Sequence, residues 1–179
     1  DEVLIDALRR RHNGTKVRQP DQLARELEAL RAAGKRIVLT NGCFDIVHTG
    51  HIQLLRGAKQ QGDILVLAVN NDASIRRLKG PERPIIDETD RLDLLSELQS
   101  IDYLVLFGGD DAYEGGEMDT PRPLLRQLKP DVLVKGGQYA HNEVVGYEIV
   151  EAYGGTVATI PHDDGRSTTD IVERIRSGS

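Results

Sequence analysis

The chain has 179 residues, 39% hydrophobic but only 4% aromatic, enough for one domain with a core of Leu, Ile, Val and Ala. A formal net charge of −6 argues against bulk nucleic-acid binding, which normally carries a basic excess, but leaves room for a local basic pocket. The single cysteine excludes an intrachain disulfide, and no apolar run approaches the about 20 residues that span a bilayer.

The N-terminal residues lack the basic start and apolar middle of a signal peptide, so the expected location is the cytoplasm, with no membrane partner. The chain begins at Asp1 rather than Met, as a cut or processed piece of a longer protein would. Residues 1–12 are expected to form a short helix broken by Asn13-Gly14. Pro20-Asp21 opens a second helix, with Leu23, Leu27 and Leu30 as its apolar stripe and Gly34 as its stop. Residues 1–33 read as a helical extension or linker, and 34–179 as the main domain.

From there strand and helix alternate. Strands are predicted at 36–40, 64–69, 103–106, 132–134 and 156–160, and helices at 50–60, 88–99, 121–128, 143–152 and 168–176. Short apolar strands separated by helices imply an α/β class: a Rossmann-like, doubly wound parallel sheet of five strands with helices on both faces. Residues 108–120, acidic and Gly-rich, read as a solvated loop outside the core, with a lid or subunit contact as the other options.

Chemistry concentrates where the first strand hands over to a helix, in Thr40-Asn41-Gly42-Cys43-Phe44-Asp45-Ile46-Val47-His48-Thr49-Gly50-His51. Free N–H groups at such a junction can receive phosphates. His48 and His51 can donate to phosphate oxygens, and Gly50 lets the backbone come close. A bare His-x-x-His is more often a pair of ordinary surface or capping histidines, and its spacing also invites zinc, but Cys43 stands alone and His12, His141 and His162 are scattered. Asp45 could hold Mg²⁺ or fix the loop; Cys43 has no evident acid–base partner.

Four further stretches carry charge or hydroxyls. Lys79, in Val69-Asn70-Asn71-Asp72-Ala73-Ser74-Ile75-Arg76-Arg77-Leu78-Lys79-Gly80, suits triphosphate oxygens or a solvated basic loop. Arg91 sits early in a helix, where cations are not favoured, and so is a solvated residue or an anion ligand. Lys135-Gly136-Gly137-Gln138 ends a strand at the usual ligand edge of a parallel sheet. Ser167-Thr168-Thr169 precede the last helix and are N-caps or phosphate donors.

His48-Thr49-Gly50-His51 and the stretches around it resemble, in order and over about Gly34 to Arg176, the nucleotidyltransferase superfamily with its His-x-Gly-His signature. Within its cytidylyltransferase-like group, the longer motif is similar to the heptose-1-phosphate adenylyltransferase branch. The resemblance implies that 34–179 is a nucleotidyltransferase domain with His48, His51 and Lys79 as catalytic residues. It implies nucleotide contacts from Asn41, Gly42, Phe44, Gly50, Asn70, Arg91, Lys135, Gly136, Ser167 and Thr168. The carried-over reaction is AMP transfer from ATP to a sugar 1-phosphate, favoured as D-glycero-β-D-manno-heptose 1-phosphate, giving ADP-heptose and pyrophosphate. Mg²⁺ would accompany the phosphates, with Asp45 as its one candidate ligand.

CTP or GTP as donor, and glycerol 3-phosphate or phosphopantetheine as acceptor, are the alternatives on this fold. A non-catalytic nucleotide-binding module and a fragment of a class I aminoacyl-tRNA synthetase are the rivals from other classes. The resemblance also implies a homodimer and a fused or separate sugar kinase. Gln138 departs from the Asp usual in similar enzymes, which removes any carboxylate role there.

Overall fold

The computed structural model describes residues 16–110, 116–161 and 167–178. The expected helix at 1–12, His12, His162, Arg166 and the middle of the acidic loop lie outside the described residues. Five strands form one parallel sheet: β1 (Ile37–Gly42), β2 (Ile64–Asn70), β3 (Tyr103–Phe107), β4 (Val132–Gly136) and β5 (Thr156–Ile160). Their order is β3-β2-β1-β4-β5. The chain winds outward from β1 to β3, then crosses over to β4 and β5, so the sheet is doubly wound as expected. Its reversal point lies between β1 and β4, and a crevice opens there at the carboxyl ends of the strands.

Alternation along each strand sends neighbouring side chains to opposite faces. On one face Ile37, Leu39, Ile64, Val66 and Ala68 pack with Leu23, Leu27 and Leu30 of α1 (Pro20–Ala32). Leu124, Leu125 and Leu128 of α5 (Arg122–Leu128) and Val150 of α6 (Tyr147–Ala152) complete that layer. On the other face Val38, Leu65, Leu67 and Val69 meet Leu54, Leu55 and Ala58 of α2 (Thr49–Lys59) and Leu95 of α4 (Glu88–Ser96). Strands covered on both sides explain the unbroken apolar runs of β2 and β3.

The described part of the expected extension, residues 16–33, is seated in this core. Leu23, Leu27 and Leu30 are fully buried, and Val17 bridges to Leu104. The backbone of Arg18 bonds Leu104 at 2.9 Å, and its guanidinium pairs with the buried Glu26. Packing is therefore continuous across the expected boundary at residue 33.

Two elements differ from expectation. Residues read as a loop after β2 form helix α3 (Asp72–Lys79), whose first turn is capped by the Asn71 side chain accepting from the Ser74 N–H at 2.8 Å. The helix expected at 143–152 is divided into a short 3-10 turn, His141–Glu143, and α6. The last helix, α7 (Thr168–Ser177), matches its prediction. No helix among the described residues is long and apolar enough to cross a membrane.

Candidate active site

Register brings three strand ends together. Gly42 of β1 pairs with Val69, so Asn70 lies one step beyond it, and Thr40 pairs with Val134, which sets Lys135 and Gly136 level with the end of β1. These ends open into a cleft of about 560 Å³. Its walls include Asn41, Gly42, Phe44, Asn70, Lys135 and Gly136 from the strand ends and His48, Gly50 and His51 from the start of α2. Lys79 from the end of α3 and Ser167 and Thr168 from the start of α7 also line it. All these residues were candidates from sequence, and they share one cavity.

His48 is the N-cap of α2, and its backbone N–H donates to Nδ1 of His51 at 3.3 Å. An accepting Nδ1 leaves the proton of a neutral imidazole on Nε2, which makes that nitrogen a donor. The two imidazole rings lie against each other with centroids 3.8 Å apart and planes tilted by 32°, and Phe44 lies against His51 at 4.6 Å. Phe44 is buried with φ +49°, a left-handed conformation that costs a non-glycine residue and is tolerated where packing dictates it. Gly42 permits the arrangement: a Cβ there would stand 3.0 Å from the Phe44 ring.

Lys79 and Lys135 bring positive charge. Burial pushes the Lys135 pKa down, and the charge of Lys79 adds in the same direction while Cys43 opposes it. The Cys43 thiol is pushed up by burial despite Lys79, Arg91, Arg83 and Lys135 around it, so it stays protonated at neutral pH. Among the described residues two carboxylates line the cleft, and each is already paired: Asp45 with Arg83 and Asp119 with Arg77.

Two expectations change. Arg91 does not line the cleft. Its guanidinium is buried and donates to the carbonyls of Cys43, Asn70 and Ile86 at 2.6, 2.9 and 3.1 Å and to Asp72 at 2.8 Å. It ties the ends of β1 and β2 to α3, because its planar fork gives to these acceptors the N–H donors that a phosphate would otherwise take. Asp45 is buried and accepts from Arg83 Nε at 2.5 Å and from the backbone N–H groups of Ile85 and Ile86 at 2.8 and 3.0 Å. Both oxygens are engaged, so it fixes the loop and does not fit a Mg²⁺ ligand. Among the described residues no group of three His, Cys, Asp or Glu side chains is arranged to hold a metal.

Ser167 acts as N-cap of α7, accepting from the Asp170 N–H at 3.1 Å, and the Thr168 hydroxyl donates to the Ile46 carbonyl at 3.3 Å. Both roles were open from sequence, and here the cap sits on the cleft wall. Gln138 is exposed and outside the cleft.

Sequence reasoning missed Asp119, Thr120 and Pro121, which wall the cleft although 108–120 reads as a solvated loop. Asp119 is buried, in a 3-10 turn, Glu117–Asp119. It missed Leu78 and Val145 as well. Asn71-Asp72-x-Ser74 was the available signal for α3, since an Asn cap and an acidic first turn announce a helix.

A lysine-bearing cleft at the reversal point of a parallel sheet, with a helix N-terminus and adjacent imidazoles in its wall, defines an α/β nucleotide-handling protein. A cytidylyltransferase-like family model matches residues 39–174, and the chain belongs to the cytidylyltransferase-like family. It is 47% identical over 169 residues to the bifunctional protein HldE of Trichlorobacter lovleyi, covering 94% of this chain and 33% of that one. It is 52% identical to the HldE of Alcanivorax borkumensis, covering 92% and 33%, and 51% identical to that of Geobacter metallireducens, covering 89% and 31%. The chain thus spans about a third of the length of these curated relatives. A solved structure, the lipopolysaccharide core biosynthesis protein of Thermoplasma volcanium GSS1, matches with a TM-score of 0.55 at 32% identity, covering 74% of this chain and all of that one.

Proposed function

We propose that this chain transfers AMP from ATP to a heptose 1-phosphate, releasing pyrophosphate and forming ADP-heptose. One observation carries the reading: two lysines and two adjacent imidazoles line a single cleft in which, among the described residues, the two lining carboxylates are each paired with an arginine. Such a cleft has positive charge and donors to give and asks for an anion of several charges. The relatives' description as bifunctional HldE proteins and the lipopolysaccharide role in the neighbour's title support the sugar acceptor and the lipopolysaccharide-precursor context.

The reaction asks little covalent chemistry of the protein. A phosphate oxygen of the sugar attacks the α-phosphorus, a P–O bond forms, and the bond to the β-phosphate oxygen breaks, with the electron pair leaving on pyrophosphate. The attacking phosphate is already ionised, so no strong general base is needed, and the protein supplies positioning and charge stabilisation. Nε2–H of His51 and the His48 ring would donate to the α-phosphate as charge grows. Lys79, Lys135 and the Ser167-Thr168 turn would hold the phosphates on either side. Magnesium enters in this reading only as the counter-ion of ATP, on phosphate oxygens. The cytoplasm, with its ATP and reduced thiols, suits the reaction and Cys43, and a sugar kinase, fused or separate, would supply the acceptor.

Incubation of the chain with ATP, CTP and GTP in turn, against heptose 1-phosphate and glycerol 3-phosphate, tests this by pyrophosphate release and product mass. ATP with heptose 1-phosphate is expected to be turned over best. Preference for CTP or for glycerol 3-phosphate would replace the substrate assignment, and nucleotide binding with no pyrophosphate from any pair would replace the enzyme by a binding module.

A further inference from the structure

Arg77 lies in α3 two residues before Lys79 and is not part of the cleft lining. Its Nε and one terminal nitrogen bind the two oxygens of Asp119 at 2.9 and 2.8 Å. The same terminal nitrogen reaches the Gly109 carbonyl at 2.8 Å, and the other reaches the Asp110 carbonyl at 2.8 Å. Asn71 adds a bond to the Gly109 carbonyl at 3.2 Å, and Asn70, at the end of β2, adds one to the Asp119 carbonyl at 3.3 Å. One side chain therefore fastens both described flanks of the acidic Gly-rich segment to the helix that carries Lys79.

The second flank continues directly into Thr120 and Pro121, which wall the cleft before α5 begins. Asp119 itself is only 8% exposed, so its carboxylate needs the guanidinium beside it. A lysine could neutralise it but could not also fork to Gly109 and Asp110. The arrangement is a brace: it sets the distance between Lys79 and the Asp119–Pro121 strip.

That strip is contributed from the α5 face of the sheet, whereas α7 packs its first turn on the loop before α2, through Thr168 and Ile46. In-line displacement brings the incoming phosphate from the side opposite the leaving pyrophosphate. With pyrophosphate at the Ser167-Thr168 turn, the acceptor comes from the strip. We infer that Arg77 is a positioning residue for the sugar phosphate: it holds the Asp119–Pro121 strip against Lys79, and the strip and Lys79 together receive the acceptor. The inference rests on the nucleotidyl-transfer reading and adds to it the place of the second substrate.

Calorimetric titration tests it without turnover. Heptose 1-phosphate is titrated into the full chain loaded with a non-hydrolysable ATP analogue, and the analogue is titrated separately, for wild type, Arg77→Ala, Arg77→Lys and Asp119→Asn. Acceptor affinity is expected to fall about tenfold in Arg77→Ala, the order a displaced positioning wall gives, with analogue affinity within about twofold and Arg77→Lys between the two. Where Arg77→Ala loses its cooperative melt, Asp119→Asn, which keeps the side chain's shape, is read in its place. Unchanged acceptor affinity, or equal losses for both ligands, overturns the positioning role. A wild-type chain that binds the analogue but not heptose 1-phosphate overturns the substrate assignment itself, so the two failures are told apart.

Discussion

His51 serves two ends with one ring. Its Nδ1 accepts the N–H of His48 and closes the first turn of α2, and that bond directs the ring's proton to Nε2. A capping contact thus sets the tautomer that donation to a phosphate requires. His51→Ala is expected to lower kcat by about a hundredfold, the usual scale for one lost transition-state donor, with circular dichroism and melting little changed. Full turnover in that variant would remove the assigned role. Asp45 teaches the opposite lesson, because a carboxylate beside a phosphate site invites a metal reading, yet its lone pairs are held by Arg83 and two backbone N–H groups. Asp45→Asn leaves the half-buried Arg83 without its counter-charge and is expected to cost about 2–3 kcal/mol in denaturant unfolding. Its Mg²⁺ dependence of activity should match wild type, and a raised Mg²⁺ requirement would restore the ligand reading. Neither Asp45 nor Arg91 could be assigned from sequence, because the partners of Asp45 lie about forty positions away and those of Arg91 include Cys43 and Asn70. Spacing along the chain does not say which charges meet inside.

Among the elements, the helices that bring function differ in what holds them. α2 is anchored by Leu54, Leu55 and Ala58 under the sheet. α7 buries no residue, and Ile175 near its end is 73% exposed. Its start depends on the reciprocal cap in which Ser167 N–H and hydroxyl donate to Asp170 at 2.9 and 2.8 Å. Those bonds hold the Asp170 carboxyl below the ordinary aspartate value. A folded-state value below the unfolded one means the cap's contribution is complete above about pH 3.9 and fades as pH falls through the lower folded value. Amide protection factors in the first turn of α7, taken against the intrinsic exchange rate at each pH, should therefore fall on the acid side, and Asp170→Asn should flatten that dependence; acid-insensitive protection would contradict the cap. α3 escaped the sequence reading because Asp72–Lys79 is short and four of its eight residues are charged, which leaves only Ala73, Ile75 and Leu78 as apolar positions. The strands were legible because a parallel sheet buried on both faces writes each strand as an apolar run.

At the scale of the whole molecule, one doubly wound sheet delivers residues from 41 to 169 to a single cleft, and its rigidity depends on both faces being packed. α1 belongs to that packing. Leu27 is fully buried against the sheet, so Leu27→Ala should destabilise the chain by about 2–5 kcal/mol, read from the denaturant midpoint. A loss well under 1 kcal/mol would mean α1 is an appendage, as a reading of residues 1–33 as linker expects. The class of the fold, the cleft and most of its lining were legible because the strand ends and the His-x-Gly-His turn are local patterns. The wall at Asp119–Pro121 was not, because burial there comes from Arg77, more than forty residues earlier.

The account rests on one bound triphosphate meeting His48, His51, Lys79, Lys135 and the Ser167-Thr168 turn together. A crystal structure with an α,β-methylene ATP analogue tests that most directly. The account predicts the α-phosphate within hydrogen-bond reach of Nε2 of His51 and Nζ of Lys79, with the remaining phosphates between Lys135 and the start of α7. An analogue seated elsewhere, or with its phosphates turned away from the imidazoles, would contradict it.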